Sequence, residues 1–155
     1  MSAELIEGEA SARGRRVAIV AARFNDFIVT SLLKGARAAW QEHGGSAADL
    51  TVVRVPGAFE LPVVVRRLAA SGRYDAVVAL GCVIRGDTPH FDYVAGEAAR
   101  GLQLAGLETG IPVSFGVLTV DSLEQALERA ATTAGNKGGE AMESALEMAA
   151  VMARL

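Results

Sequence analysis

The chain has 155 residues, 51% apolar and 21% charged, with a formal net charge of -3, which describes a packed globule of one domain and excludes a disordered chain. No basic run offers a footprint for nucleic acid or an anionic membrane, and no apolar stretch reaches the roughly 18 residues that span a bilayer. The single cysteine, Cys82, rules out an intramolecular disulfide framework and suits a reducing, cytoplasmic setting.

Residues 1–13 read as a loose, flexible arm that is acidic and rich in small residues, without the apolar segment of a signal peptide. A single domain over 14–155 follows. VAIVAA (17–22) is a continuous apolar run, as in a strand buried on both faces. From Asp26 the period becomes helical, with Ile28, Leu32, Ala36, Ala39 and Trp40 on one stripe and Gly44–Gly45 as the stop. LTVVRV (50–55) is a second strand closed by Pro56–Gly57, and 60–71 a helix ended by Ser71–Gly72. DAVVALGCVI (75–84) is a third strand and 89–106 the next helix. PVSFGVLTV (112–120) is a fourth strand. Asp121 and Glu124 form a capping box for a helix that buries Leu123, Ala126, Leu127, Ala130 and Ala131. GNKGG (135–139) breaks the pattern. A last helix over about 140–153 buries Ala141, Ala145, Leu146, Ala149 and Met152 and turns Glu140, Glu143 and Glu147 outward. Strand and helix alternate, which predicts an α/β fold: a four-stranded parallel sheet with helices on both faces, joined by right-handed crossovers.

In such sheets ligands bind beyond the carboxyl ends of the strands. There the sequence places Phe24 and Asn25 after strand one, Phe59 and Glu60 after strand two, and Arg85, Asp87, Thr88 and His90 after strand three. RGDTPH (85–90) has the form of an anion site. Thr88 fits a helix cap and Pro89 the first helical position, so first-turn N–H groups point outward without partners. Gly86 allows close backbone approach and a phosphate is the natural guest. Asp87 would repel it through its carboxylate, so only its N–H serves. His90 in the same turn is placed as a proton shuttle. Read blandly, the segment is a capped helix with a solvated histidine. His43, at a helix end, and Trp40, on an apolar stripe, receive structural readings. Cys82 lacks an evident base. No histidine or cysteine pair has metal-ligand spacing, and neither GxGxxG nor GxxxxGK[ST] is present.

Phe115 and Arg129 raise a geometric problem. Phe115 lies about 16 Å before the end of its strand, and Arg129 about 12 Å down a helix leading away from the rim. Neither reaches the rim site of its own subunit. If they and Lys137 are functional, the site is shared between subunits.

Six motifs then carry a resemblance: ARFN (22–25), VPGAFELP (55–62), GCVIRGDTPHFDYV (81–94), PVSFGVLT (112–119), EQALERA (124–130) and GNKGGEA (135–141). In this order and spacing the chain resembles the 6,7-dimethyl-8-ribityllumazine synthase family from about residue 15 onward. The resemblance implies a flavodoxin-like, three-layer α/β/α fold. It implies condensation of 5-amino-6-(D-ribitylamino)uracil with 3,4-dihydroxy-2-butanone 4-phosphate, the penultimate step of riboflavin biosynthesis, without metal or organic cofactor. It places Phe24 on the pyrimidine ring, and Ala58, Phe59 and Glu60 in the pocket wall, with Glu60 accepting from ribityl hydroxyls. The backbone of Cys82, Val83 and Ile84 would meet the pyrimidine edge. Gly86, Asp87 and Thr88 would bind phosphate, and His90 would carry the proton. Phe115, Arg129 and Lys137 would come from a neighbour: Phe115 against the ring, Arg129 on phosphate, Lys137 near the ribityl chain or phosphate. The role of Arg85 stays open. The chain departs from many relatives at Ala131 and Thr133, where glycine and lysine are common.

The resemblance further implies a homo-oligomeric pentamer, and the loop before GNKG has the length found in members that build an icosahedral 60-mer. Association with riboflavin synthase is compatible with it, and neither nucleic acid nor membrane is expected as a partner. Two alternatives stand beside this reading: an archaeal-type riboflavin synthase relative, and a non-catalytic lumazine- or flavin-binding shell protein.

Overall fold

A computed structural model describes residues 2–131 and 135–155. Four parallel strands, β1 (Val17–Ala22), β2 (Leu50–Val55), β3 (Ala76–Ile84) and β4 (Val113–Val120), form one sheet in the order β2-β1-β3-β4. Five helices surround it: α1 (Asp26–Glu42), α2 (Leu61–Ala70), α3 (His90–Thr109), α4 (Leu123–Arg129) and α5 (Lys137–Ala153). The expected fold class is the observed one.

Strand periodicity sorts the two cores. Val17, Ile19 and Ala21 of β1 join α1, α4 and α5 on one face, whereas Ala18, Val20 and Ala22 join α2 and α3 on the other. All six β1 residues are therefore buried, which explains a strand without polar alternation. The opposite edge strands differ: β4 pairs only with β3 and β2 only with β1. Trp40 is core as expected, with its indole N–H donating to the Ser46 carbonyl at 3.0 Å. His43 ends α1, its ring 3.7 Å from Glu143. In the amino-terminal segment, Ala12 is buried and its N–H donates to the His43 carbonyl, while the Glu7 carbonyl accepts from Arg154 of the last helix's end.

Several boundaries differ from the sequence reading for identifiable reasons. The α4 cap is Ser122, not Asp121: its hydroxyl accepts from Gln125 N at 3.2 Å, and the Asp121 carboxylate turns to Arg85 instead. On α4 only Ala126 is buried, with Ala130 buried just past its end and Ala131 half-buried, whereas Leu123 and Leu127 face outward, as does Met152 on α5. Helix α3 begins at His90, so Pro89 precedes the helix and Thr88 accepts weakly from His90 N at 3.5 Å. Thr133 lies outside the described residues.

The largest difference concerns α5, which starts at Lys137 rather than at 140. Asn136 makes this possible. Its Oδ1 accepts from Gly138 N at 2.8 Å and Gly139 N at 3.0 Å, and its Nδ2 donates to the Ser31 and Ala130 carbonyls. The glycines, which weaken an isolated helix, are needed because a Cβ on Gly138 would strike the Leu32 carbonyl of α1. Asn136→Ala should thus destabilise the protein by about 1–3 kcal/mol, since it removes a cap and two hydrogen bonds that tie the start of α5 to α1 and to the end of α4. Chemical unfolding of the variant against the parent protein measures this; an unchanged midpoint would contradict it.

Candidate active site

The crevice at the rim follows from sheet order. The chain leaves β1 in one direction to β2 and returns to β3 on β1's other side, so the loops after β1 and β3 diverge. Pairing between β1 and β3 stops at Ala21–Leu80, yet β3 runs on to Ile84 alongside β4. Backbone groups of Cys82 and Ile84 that alternate toward β1 therefore lie beyond its ladder. Val83 sits opposite Thr119 in the β4 ladder.

Asn25 closes part of this gap. It is the one non-glycine residue with positive φ among the described residues, at φ 62 and ψ 46, a region that asparagine tolerates. The turn lets its Nδ2 donate to the Cys82 carbonyl at 2.8 Å. It also throws Phe24 outward, 64% exposed, with Phe24 N donating to the Pro56 carbonyl at 2.8 Å. Arg54 secures the same turn, donating to the Ala21 and Ala22 carbonyls and pairing with Asp26 at 2.7 Å. Gly57 is required beneath: a Cβ there would collide with the Phe24 ring. Asn25 was visible in the sequence as a rim residue, but its positioning role was not. The signal was an asparagine at a helix start without a following capping partner.

After β2 a short 3-10 turn, Ala58–Glu60, presents Phe59 to solvent, and Glu60 Oε1 accepts from Gly57 N at 3.0 Å. Phe24, Ala58, Phe59, Glu60 and His90 line one cavity of about 360 Å³, together with Tyr93 one turn along α3. Three of the four rim loops thus converge as the sequence reading expected. Gly86, Asp87 and Thr88 are exposed immediately before His90. Arg85 points along the rim to Asp121 and Asp92 rather than into the cavity, and the hydrogen bond to Asp121 lifts its guanidinium further above the ordinary arginine range. Burial pushes the Cys82 thiol up to about 11, so it stays protonated at neutral pH and is no nucleophile.

Phe115, Arg129 and Lys137 lie elsewhere. They line a second cavity of about 330 Å³ between β4, α4 and the start of α5, and its lining shares no residue with the first. Phe115 pairs in register with Ala79, well before the strand's end at Val120. Arg129 donates to the Gln125 carbonyl at 3.1 Å, and Lys137 Nζ is 3.1 Å from Glu140. Ser114 opens onto the same cavity, and its buried hydroxyl has no partner, a polar group that a ligand could satisfy. Among the described residues no group of three or more His, Cys, Asp or Glu side chains could hold a metal ion, and no helix is long and apolar enough to cross a membrane.

Comparison with known proteins agrees with these motifs. The family model for 6,7-dimethyl-8-ribityllumazine synthase matches residues 14–153. A curated relative from Nitratidesulfovibrio vulgaris strain Miyazaki F, a 6,7-dimethyl-8-ribityllumazine synthase, is 57% identical over 150 residues, covering 97% of this chain and 96% of its own. Relatives of the same description from strains DP4 and Hildenborough are each 56% identical over the same shares. Matched by the family model over residues 14–153 and 57% identical to a curated member over 97% of its length, the chain belongs to the 6,7-dimethyl-8-ribityllumazine synthase family.

Proposed function

We propose that each catalytic site of this enzyme is built by two neighbouring subunits. The reaction is the lumazine synthase step of riboflavin biosynthesis. In it, 5-amino-6-(D-ribitylamino)uracil and 3,4-dihydroxy-2-butanone 4-phosphate give the lumazine, phosphate and water. The observation that carries the proposal is the separation of the site residues into two cavities with no residue in common. One subunit gives the first cavity and a neighbour closes it with the second.

In this reading Phe24 stacks on the pyrimidine, whose edge meets the backbone of Cys82, Val83 and Ile84. Ala58 and Phe59 form the wall, and the Glu60 carboxylate accepts from ribityl hydroxyls. The amides of Gly86, Asp87 and Thr88, with the Thr88 hydroxyl, hold the phosphate at the start of α3. The neighbour supplies the Phe115 ring, Arg129 for the phosphate and Lys137 for the ribityl chain or phosphate. The amine attacks the ketone and a first water leaves to form an imine; phosphate is then eliminated, the resulting enol becomes a carbonyl, and the ribitylamino nitrogen attacks that carbonyl to close the ring with loss of a second water. His90 carries protons for the water and phosphate departures, Arg129 neutralises the leaving anion, and positioning lowers much of the remaining barrier.

Exposed apolar side chains support the assembly. Phe24, Phe59 and Tyr93 stand on one surface; Leu123, Leu127 and Phe115 stand around the unpaired edge of β4. Two different surfaces that meet make a head-to-tail interface, which closes as a ring when the rotation from one subunit to the next closes. We read the ring as the pentamer and its further association as the icosahedral 60-mer, in the cytoplasm, where a lone free thiol is at home. Riboflavin synthase is compatible with such a shell as a partner.

Absorbance of the purified protein with both substrates should show lumazine accumulating, whereas riboflavin formed from lumazine alone would contradict the assignment. Arg129→Ala should raise the Michaelis constant for the phosphate substrate by about tenfold or more, and an unchanged constant would remove Arg129 from the site. His90→Ala should lower turnover by at least about tenfold with pyrimidine binding retained, and parental turnover would reject the shuttle role. Sedimentation should give a particle of about twelve pentamer masses, and a monomer would contradict shared sites.

A further inference from the structure

The Arg85 side chain bridges two carboxylates and an aromatic ring at the rim, yet the site as proposed gives it no task. It leaves the end of β3 just before the Gly86–Thr88 loop. Its Nε donates to Asp121 Oδ1 at 2.9 Å, and its Nη1 lies 3.4 Å from Asp92 Oδ1. Its guanidinium carbon is 4.4 Å from the centroid of the buried Phe91 ring. Its backbone N–H donates to the Val120 carbonyl at 2.8 Å. One planar fork thus joins the end of β3, the first turn of α3 and the junction of β4 with α4. A lysine ammonium cannot meet two carboxylates in this fixed fork and lie flat on a ring at once.

The charges give this brace a consequence. Asp92 and Asp121 flank the loop, and among the described residues Arg85 is the cation that pairs with each. A phosphate on the loop amides would otherwise meet two uncompensated carboxylates beside it, an unfavourable field for a dianion. The fork also fixes the loop at its strand end, while Asp92 N donates to the Pro89 carbonyl at its helix end.

We infer that Arg85 is a positioning residue for the phosphate-bearing substrate: by pairing with Asp92 and Asp121 while stacking on Phe91, it screens both carboxylates and holds the Gly86–Thr88 loop ready for the phosphate. It makes no contact with substrate in this role. The inference rests on reading that loop as the phosphate site.

The test uses the assembled enzyme and inorganic phosphate as a competitor of the butanone phosphate. Arg85→Met should raise the phosphate inhibition constant and the Michaelis constant for the phosphate substrate in parallel, by about tenfold, with the pyrimidine constant within about twofold. The triple variant R85M/D92N/D121N should return both phosphate constants to within about threefold of the parent, since the carboxylates that needed screening are gone. Arg85→Lys, which keeps the charge and loses the fork, should fall between, and it carries the test alone if R85M does not assemble. A parental phosphate constant in R85M or R85K overturns the inference, as does equal loss for both substrates without recovery in the triple variant. Thr88→Ala separates the two levels. An unchanged phosphate constant there overturns the phosphate-loop reading and the inference with it, whereas a raised one with R85M unchanged overturns the inference alone.

Discussion

A parallel strand that outruns its neighbour must leave backbone groups without ladder partners, and the site is organised around that constraint. β3 continues to Ile84 while its pairing with β1 ends at Leu80. Buried backbone groups without partners are costly, so the gap must be filled by side chains, water or a ligand. Asn25 fills one position, donating to the Cys82 carbonyl from a left-handed turn. The same turn aims Phe24 over Gly57 and brings the loops after β1 and β2 together. The end of β3 thus keeps backbone groups that lie beyond the β1 ladder.

The other end of the sheet imposes the complementary demand. β4 is an edge strand, and exposed parallel edges are normally covered. Around it lie Phe115, Arg129 and Lys137, in a cavity that shares no lining residue with the one that holds His90, together with outward-facing leucines on α4. A neighbour docking its first cavity against this edge would cover the apolar surface and complete the chemistry in one contact.

The fold was legible because its strands are apolar runs separated by strong turn signals such as Pro56–Gly57 and Gly44–Gly45. The first cavity was legible because strand ends in parallel sheets are where ligands bind. What escaped the sequence reading depended on tertiary contact. Gly138 and Gly139 look like helix breakers until the close approach to α1 is known. Leu123, Leu127 and Met152 follow helical periodicity, but periodicity cannot distinguish a face buried within the subunit from one left exposed on it. Asp121 looks like a cap because its carboxylate's actual partner, Arg85, is distant in sequence. The separation of Phe115 and Arg129 from the rim, by contrast, followed from rise per residue alone.

Complementation between two impaired variants, assayed well below the Michaelis constant of the phosphate substrate, tests the shared site most directly. Phe24→Ala and Arg129→Ala damage different cavities, so subunits of the two, dissociated, mixed equally and reassembled, should regain parental behaviour in about a quarter of their sites. Each variant reassembled alone should stay impaired. Verified mixed oligomers that regain nothing would contradict a catalytic site built from two subunits.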